Sequence, residues 1–414
     1  MKGFIFVFII LLAIDLYVFR TIRNQLSASN VLIKYPAYLI YWLVPVFLLT
    51  VAVYFSTRNA NFRADKLFTY VGAVFVLFYL PKLVVFVFQF IEDLSKLIAI
   101  GAKKLSNPDT SIYTHAEKIS RSVFIGRIGL IIAAIPFSSI LYGIVAGRFK
   151  FTVNRKTLYF SHLPKEFDGF RIVQFSDLHT GSLVGQQSAF RKAFEMINNE
   201  KADILVFTGD MVNNTADELD DWLNEISVLN AKQGKFSILG NHDYGDYHRW
   251  NSEEDKKANL EKLKNYHGQM GFRLLLNEAV EFERNGERIA LLGVENWGEK
   301  PFPQLGRLDL ATEKVKDIPF KVLLSHDPTH WEYEVLEKTD IALTLSGHTH
   351  GMQLAINLGN YSWSPVKFKY KRWRGLYTEN DQHLYVNIGL GYIGFPGRVG
   401  TDPEITVFEL KQKV

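Results

Sequence analysis

The segment IALTLSGHTHG, residues 341–351, joins a short apolar run to two histidines that are separated by one residue. The run has the length and composition of a buried strand, and the glycines on either side of the histidines indicate a turn. If the histidines stand at the strand end, His348 and His350 point to the same side, which favours a shared metal site. On its own the pattern fits a plain turn as well as a metal site, so the distinction depends on residues elsewhere in the chain.

Six further runs of the same kind lie downstream of residue 147. They are RIVQFSD, DILVFTGD, KFSILGN, IALLGV, KVLLSHD and HLYVNIG, and each ends in a turn or a polar cluster. Helical patterns at 188–200 and 217–229 separate the first runs, so strands and helices alternate at first and strands then dominate. Residues 148–414 are therefore predicted to form an α/β domain.

Side chains that bind metals or move protons follow most of these predicted strands. They are Asp177, His179, Asp210, Asn241, His242, His326, His348 and His350. In open α/β sheets the loops at the carboxyl ends of the strands converge on one crevice, where ligands bind. Carboxylate, imidazole and amide groups suit Mn, Fe, Zn or Co, and a chain without cysteine offers no thiolate ligand. Each cluster alone reads as a turn or a core histidine, but all of them in this order predict a metal site.

The series SDLH, TGD, GNHD, SHDP and SGHTHG resembles the five-block signature of the calcineurin-like metallophosphoesterases, over roughly residues 170–414. The resemblance implies a sandwich of two β-sheets flanked by helices, with two divalent metal ions at the strand ends. It implies that one ion is held by Asp177, His179, Asp210 and His350, and the other by Asp210, Asn241, His326 and His348. His242 would be a non-ligand that stabilises the leaving group or the transition state. Two such ions can clamp phosphoryl oxygens and acidify a water.

The C-terminal part of the chain carries two further motifs. The tail GLGYIGFPGRVGTDPEITVFEL resembles a membrane-attached branch of the family, which commonly has GGQ where this chain has GMQ at 351–353. Arg398 is a candidate contact for substrate phosphate because a guanidinium binds bidentately, with a surface salt bridge as the alternative. SPVKFKYKRWRGLY, residues 364–377, interleaves cations with aromatic rings and favours lipid headgroups or an amphiphilic substrate. No nucleic-acid partner is expected, because the net charge of +4 is small for 414 residues.

The first third of the chain contains four apolar runs, at about 4–19, 38–55, 67–90 and 124–146. Each approaches the ~20 residues that span a bilayer as a helix. Residues 1–147 are therefore predicted to form a transmembrane region with four helices, the first of them uncleaved. Asp15 is either a functional membrane acid or an interfacial residue beside Arg20. Residues 91–105 predict an amphipathic helix that lies on the membrane or on the soluble domain.

The chain is thus predicted to be a multi-pass protein of the cell membrane. The cations that flank the runs divide equally between the two sides, so they do not orient the chain, and a cytoplasmic catalytic domain is the working expectation. The predicted activity is hydrolysis of a phosphoester or pyrophosphate bond. Its expected substrate is lipid-linked, such as a UDP-acylated glucosamine or a phospholipid, by family analogy. The alternative is a catalytically silent membrane scaffold or sensor that uses the same domain for binding.

Overall fold

The computed structural model describes residues 2–57, 66–106, 115–359 and 361–413. The chain divides into two compact units, Met1–Tyr142 and Gly143–Val414. The predicted boundary between residues 147 and 148 lies just beyond this division. Arg58 and Arg63, two of the cations that flank the predicted apolar runs, lie outside the described residues.

The N-terminal unit is helical. Its helices are α1 (Lys2–Gln25), α2 (Val31–Thr57), α3 (Lys66–Ser106) and α4 (His115–Val145). Within the described ranges, three stretches are long and apolar enough to cross a membrane: Val31–Tyr54, Thr69–Ala102 and Arg121–Val145. Helix α1 covers the first predicted run but is not among these three, so a fourth crossing stays a prediction.

The segment 91–105 is not a separate amphipathic helix, because it continues α3 without a break. Helix α3 has 41 residues. At ~1.5 Å per residue it is about twice as long as the ~30 Å hydrocarbon core requires. The polar part of α3 carries an ion pair between Lys96 and Glu92 (2.5 Å) and a second one between Asp93 and Arg20 of α1. The expected amphipathic segment is therefore the C-terminal part of α3, and residues 91–102 belong to the stretch that is long and apolar enough to cross a membrane.

Asp15 is buried, and its partner is not the neighbouring Arg20. The carboxylate of Asp15 accepts hydrogen bonds from Lys82 Nζ (2.6 Å) and from the Tyr79 hydroxyl (2.7 Å), both on α3. The Tyr41 hydroxyl of α2 donates to the Asp15 backbone carbonyl at 2.8 Å. Asp15 therefore forms a matched ion pair between α1 and α3, and the Tyr41 hydroxyl adds α2 to the same cluster. Whether Asp15 lies at the membrane interface stays a prediction.

The second unit contains two six-stranded sheets. Its strands are β1 (Thr152–Phe160), β2 (Arg171–Phe175), β3 (Ile204–Phe207), β4 (Lys235–Ser237), β5 (Phe272–Leu274), β6 (Glu278–Arg284), β7 (Glu287–Gly293), β8 (Lys321–Leu324), β9 (Leu343–Ser346), β10 (Ile356–Leu358), β11 (Tyr361–Trp363), β12 (Gly375–Glu379), β13 (Gln382–Val386) and β14 (Glu404–Gln412). The first sheet has the order β1-β14-β2-β3-β4-β5 and the second the order β12-β13-β9-β8-β7-β6, while β10 and β11 form a small separate sheet. All seven predicted runs contain a strand.

The two large sheets pack face to face, as predicted. Ile172 and Val206 of the first sheet lie in one core with Leu291 and Leu345 of the second. The residues that alternate with them point outward, where helices cover both sheets. These helices are α5 (Gln187–Asn199), α6 (Leu223–Ser227), α7 (Glu253–Gln269) and α8 (Leu308–Thr312). Because both faces of each sheet are covered, its strands are apolar on both sides, as the runs in the sequence indicated.

One predicted helix is wrong. The pattern at 217–229 forms a short 3₁₀ turn at Ala216–Leu219 and the five-residue helix α6 instead of one long helix. The Glu218 carboxylate accepts hydrogen bonds from the backbone N–H groups of Asn213 (2.5 Å) and Asn214 (3.0 Å). These bonds close the turn against the preceding loop, so the helical spacing of the apolar residues is not used as a continuous helix.

Candidate metal centre

The predicted site residues come from the ends of five strands in both sheets. Asp177 follows β2, Asp210 follows β3 and Asn241 follows β4, and these three strands are mutually parallel. His326 and His348 follow the parallel strands β8 and β9. Because parallel strands end at the same edge, each sheet presents its polar loops on one side, and the sandwich brings the two sets together.

The first group of candidate ligands is Asp177, His179 and His350, all of them buried. One ligand atom from each lies within 4.8 Å of the others. The two imidazole Nε2 atoms are 3.0 Å apart, and His350 Nε2 is 3.3 Å from Asp177 Oδ1. The backbone N–H of His348 donates to both oxygens of the Asp177 carboxylate, at 3.0 and 3.1 Å, and holds this carboxylate in place.

The second group is Asp210, His326 and His348, with its ligand atoms equally close together. His326 Nε2 is 3.2 Å from Asp210 Oδ2 and 3.2 Å from His348 Nδ1. Asp210 Oδ2 is also 3.5 Å from His179 Nε2 of the first group. One carboxylate oxygen therefore faces both groups, as a bridging ligand would. The two histidines of the HTH motif thus lie in different groups.

The donors of these residues fit divalent metal ions. In each group two imidazole nitrogens face one another, an arrangement that needs a proton or a cation between the lone pairs. Asn241 Oδ1 is buried and accepts no hydrogen bond, while Asn241 Nδ2 donates to the Tyr247 hydroxyl at 2.9 Å. A buried acceptor without a donor is costly, so a cation at this position would satisfy it.

The backbone of the site is strained at most of the candidate ligands. The φ angle is positive at Asp177 (52°), His179 (51°), Asp210 (61°), His348 (74°) and His350 (50°). Each such residue costs on the order of 1 kcal/mol or more, and strain of this kind is found at functional sites. His348 and His350 thus lie beyond the end of β9 in left-handed conformations. Their directions come from this backbone rather than from the alternation of a strand.

Two glycines allow the loops to approach this closely. A Cβ atom on Gly240 would lie 2.2 Å from Asp210 Oδ1, and one on Gly347 would lie 2.3 Å from Asp177 Oδ2. No side chain fits at either position without moving a candidate ligand. The glycines of the GNHD and SGHTHG motifs are therefore required by packing against carboxylates.

The charges of the site favour ionised carboxylates. Burial opposes the charge on Asp177, but His350 outweighs it and lowers the pKa of this carboxyl to about 2. Burial alone would lower the pKa of His326, but the Asp210 carboxylate outweighs burial and raises this pKa to about 10. The buried carboxylates attract whichever cation is available, a proton on an imidazole or a metal ion.

Asp243 joins two of the loops. Its Oδ2 accepts the backbone N–H groups of Asp210 (2.9 Å) and Gly240 (2.8 Å), and its Oδ1 accepts that of Met211 (2.9 Å). Burial and the nearby Asp210 carboxylate raise the pKa of Asp243 to about 7. Asp243 is a positioning residue, since it fixes the backbone that carries Asp210 and Asn241.

His242 stands beside both groups without belonging to either. Its backbone N–H donates to Asp210 Oδ1 at 2.9 Å, and its Nδ1 is 2.8 Å from the Asn213 carbonyl. The carbonyl requires a proton on Nδ1, so Nε2 is the atom left for a substrate. The ring packs against Tyr247 and edge-on against His179, with centroids 4.4 and 5.0 Å away. Burial lowers the pKa of His242, although the Asp210 carboxylate opposes this shift.

Arg398 does not occupy the position that was predicted for it. The side chain is only 1% exposed. Its guanidinium donates to the backbone carbonyls of Gly391 (2.8 Å), Ile388 (2.9 Å) and Thr401 (3.1 Å), and Nη2 lies 3.3 Å from His350 Nδ1. The geometry supports neither the substrate contact nor the surface salt bridge, because the donors are spent on buried carbonyls. Arg398 instead holds the C-terminal loop against His350.

Two residues beside His348 were missed by the sequence analysis. The Tyr370 hydroxyl is 2.6 Å from His348 Nε2, and Asp327 Oδ2 is 3.4 Å from the same atom. They orient the ring so that Nδ1 faces His326, which is the usual task of groups behind a metal ligand. Asp327 directly follows His326 in the SHDP motif, a signal that was available. Tyr370 lies in a different loop, and no spacing in the sequence linked it to His348.

An α/β sandwich with two adjoining groups of metal-binding residues at its strand ends defines a metallophosphoesterase. Residues 170–352 match the family of calcineurin-like phosphoesterases, and residues 1–148 match a family described as a probable calcineurin-like phosphoesterase transmembrane domain. The uncharacterized metallophosphoesterase YkuE of Bacillus subtilis is 32% identical over 62% of this chain and 84% of its own length. The chain therefore belongs to the calcineurin-like metallophosphoesterases.

Two other relatives are also described as metallophosphoesterases. An uncharacterized metallophosphoesterase of Campylobacter jejuni, Cj0846, is 26% identical over 99% of both chains. A transmembrane protein with metallophosphoesterase domain from Danio rerio is 29% identical over 60% of this chain and 55% of its own length. With the transmembrane family match over residues 1–148 and its own grouped ligands, the protein is a membrane-associated metallophosphoesterase with residue groups suited to metal binding.

Proposed function

We propose that the protein hydrolyses a phosphoester or pyrophosphate bond of a lipid-linked, amphiphilic substrate, such as a phospholipid or a UDP-acylated glucosamine. The observation that carries this proposal is the union, in one chain, of apolar helices and of two ligand groups that face each other across Asp210 Oδ2. Helices of this kind keep the site near a membrane, where amphiphilic phosphoesters are concentrated.

The proposed ligand sets are those of the sequence analysis. One divalent ion is held by Asp177, His179, Asp210 and His350, and the other by Asp210, Asn241, His326 and His348. When bound, the two ions supply Lewis acidity and a nucleophile at neutral pH. The neutral amide of Asn241 keeps the negative charge of the second set low, which favours an electrophilic ion. Mn, Fe, Zn and Co all suit these ligands.

The proposed role of His242 is to stabilise the leaving group. Its ring is held by the Asn213 carbonyl and by Tyr247, so Nε2 has a fixed direction. Because Nδ1 already carries a proton, a proton on Nε2 makes the ring an imidazolium, and the negative charge of a bound phosphoester would favour that form. The imidazolium could donate its Nε2 proton to the departing alkoxide or to a phosphoryl oxygen. His242 belongs to neither group of candidate ligands, which separates its role from theirs.

The proposal is tested by comparing substrates that share a headgroup. The purified full chain is assayed with added Mn²⁺ on short-chain and long-chain forms of phospholipids and of UDP-acylated glucosamine, with a chromogenic aryl phosphodiester as the soluble control. We expect hydrolysis of the soluble ester and a kcat/KM that rises with acyl-chain length. Equal rates for short and long chains would contradict the lipid-linked substrate. No hydrolysis of any ester, together with no bound metal, would favour a silent scaffold.

We propose that the catalytic unit lies on the cytoplasmic side of the membrane. The chain has no cysteine, so a single cysteine at the exposed position Val228 reports on one location only. In intact cells an impermeant maleimide should leave this cysteine unlabelled, and labelling after permeabilisation is the control. Labelling in intact cells would place the catalytic unit outside.

A further inference from the structure

The small sheet of β10 and β11 is amphipathic, and its apolar face is exposed. Its cross-strand pairs are Ile356–Trp363, Asn357–Ser362 and Leu358–Tyr361. Paired residues share a face and successive pairs alternate, so two apolar pairs stand on one side and the polar pair on the other. On the polar side Arg374 contacts Asn357 Oδ1 at 3.3 Å. This pattern is that of a sheet with one buried face, yet nothing in the described part of the unit buries it.

The exposure of this face is large. Leu358 is 69% exposed, Tyr361 57% and Ile356 54%, and the neighbouring Phe368 is 87% exposed. Scattered apolar side chains are normal on a protein surface, but a contiguous group indicates an interaction site. The Trp363 and Phe368 rings are in edge-on contact, with centroids 6.2 Å apart, so the sheet and the following turn form one surface.

Cations surround these apolar residues, and the local chain contains no acid. Residues 341–378 include five Lys or Arg residues and neither Asp nor Glu. Lys367, Lys369 and Lys371 are exposed. Lys367 Nζ is 5.5 Å from the centre of the Tyr361 ring. Apolar side chains flanked by lysines match the boundary between anionic headgroups and acyl chains.

The same segment is attached to the metal centre. The Ser364 hydroxyl donates to the carbonyl of Gly351, next to His350, at 2.8 Å. Tyr370 packs with Val366 and Trp373 in a small core below the exposed face, and its hydroxyl contacts His348. The segment that carries the exposed face is therefore linked through Ser364 and Tyr370 to the loop of His348 and His350.

We propose that Ile356, Leu358, Tyr361 and Phe368, with Lys367, Lys369 and Lys371, form a surface that docks on anionic lipid headgroups of a bilayer. This headgroup-docking surface is independent of which ester the protein hydrolyses. Ile356 and Leu358 suit hydrocarbon, whereas a single-strand nucleic-acid site relies on aromatic stacking platforms. The three lysines would repel the same surface of a second copy. A bilayer satisfies the apolar face and the cations together.

The absence of cysteine makes a site-specific test direct. Single cysteines replace Leu358 or Phe368 in the full chain, and Val228→Cys is the control because Val228 is exposed to a similar extent, 57%. Each variant is labelled with a fluorophore and reconstituted into phosphatidylcholine vesicles that contain a nitroxide-labelled lipid, with or without phosphatidylglycerol. We expect strong quenching at 358 and 368, more so with phosphatidylglycerol, and little quenching at 228.

The lysines are tested in the labelled Phe368→Cys chain. Because each lysine near an anionic surface contributes on the order of a fivefold factor, Lys367→Gln, Lys369→Gln and Lys371→Gln together should lower the ratio of docked to undocked chains roughly 100-fold. Their thermal unfolding should be unchanged, since these side chains are exposed. Equal quenching at 368 and 228, or no response to phosphatidylglycerol, would overturn the proposal. So would a signal that follows added single-stranded RNA or the chain-to-lipid ratio instead of lipid charge.

Discussion

Two buried carboxylates, Asp15 in the membrane helices and Asp210 in the α/β unit, have opposite surroundings. Asp15 has a cation of its own, Lys82 at 2.6 Å, and a hydroxyl donor, Tyr79 at 2.7 Å. Asp210 is buried to the same degree, but its ion-pair partners among the described residues are only imidazoles, His179 and His326. A buried charge must be matched. The first cluster is matched by a lysine that carries its own charge, whereas the second is matched only by imidazoles, which can bind either a proton or a divalent metal ion.

The backbone at Asp15 also differs from the backbone at Asp210. Asp15 lies in a regular helix, while Asp210 and four other candidate ligands have positive φ angles. A structural ion pair needs no special backbone. A site that accepts ions from solution must aim several ligands at one point, and the strained loops accomplish this. Burial and charge alone therefore do not identify a functional site, but unmatched ligands on strained loops do.

The largest effect is expected from removing the shared ligand. Asp210→Ala deletes the one carboxylate that faces both groups, so hydrolysis of an aryl phosphodiester should fall on the order of 10⁴-fold or more. Exposed Asp317→Ala is the matched control and should retain full activity. Substantial activity in the Asp210 variant would mean that the two groups do not act as one centre.

His242→Ala should lower turnover by about 10²- to 10⁴-fold, the usual contribution of a proton donor, while metal content stays as in the parent chain. The reason is that His242 belongs to neither group of candidate ligands. His248→Ala serves as the control, since that ring packs edge-on against Trp250 instead. A loss of metal from the His242 variant would make this residue a ligand and refute the assignment.

Lys82→Met should destabilise the membrane helices by about 3–5 kcal/mol, because it leaves Asp15 buried without a counter-charge. Thermal unfolding in detergent measures the effect, and hydrolysis of the soluble ester at low temperature should persist. Adding Asp15→Asn to Lys82→Met removes the orphaned charge and should restore most of the stability. If the single variant is as stable as the parent, the ion pair does not hold the helices together.

The smallest effect is expected at His267, a buried histidine with no carboxylate partner among the described residues. His267 contacts the Ser237 hydroxyl at 2.9 Å, and burial lowers the pKa of this histidine to about 4. The unfolded chain takes up the proton near pH 6.5, so the neutral histidine stabilises the fold fully only above that pH. Stability should fall by roughly 1 kcal/mol per pH unit between 6.5 and 4. His267→Gln should flatten this pH dependence of the melting temperature, and exposed His162→Gln should not.

The sequence predicted the strands that carry the candidate ligands. It succeeded there because buried parallel strands are continuous apolar runs, and the candidate ligands lie just beyond them. The assignment of His348 and His350 to different ions came from the family resemblance and stays a prediction. The sequence did not predict β1 and β14, which pair with each other although they stand near opposite ends of the second unit in sequence. It also missed Tyr370 and the Lys82 partner of Asp15. These contacts join distant segments, and local periodicity carries no information about them.

Arg398 illustrates a further limit of sequence reasoning. A lone arginine in a family motif suggested a phosphate contact, but the guanidinium is enclosed by carbonyls of its own loop. Whether an arginine faces solvent or supports a loop depends on the path of the backbone. Spacing within the motif does not reveal this path.

The most direct test of a centre with two ligand groups is the number of divalent ions per chain, measured by elemental analysis of the purified full chain after loading with Mn²⁺. The native chain should hold two ions. His350→Ala and His348→Ala should each lose one, because each histidine serves a different group. A native chain with a single ion, or two variants that both keep two ions, would contradict the assignment of these histidines to separate sites that share Asp210.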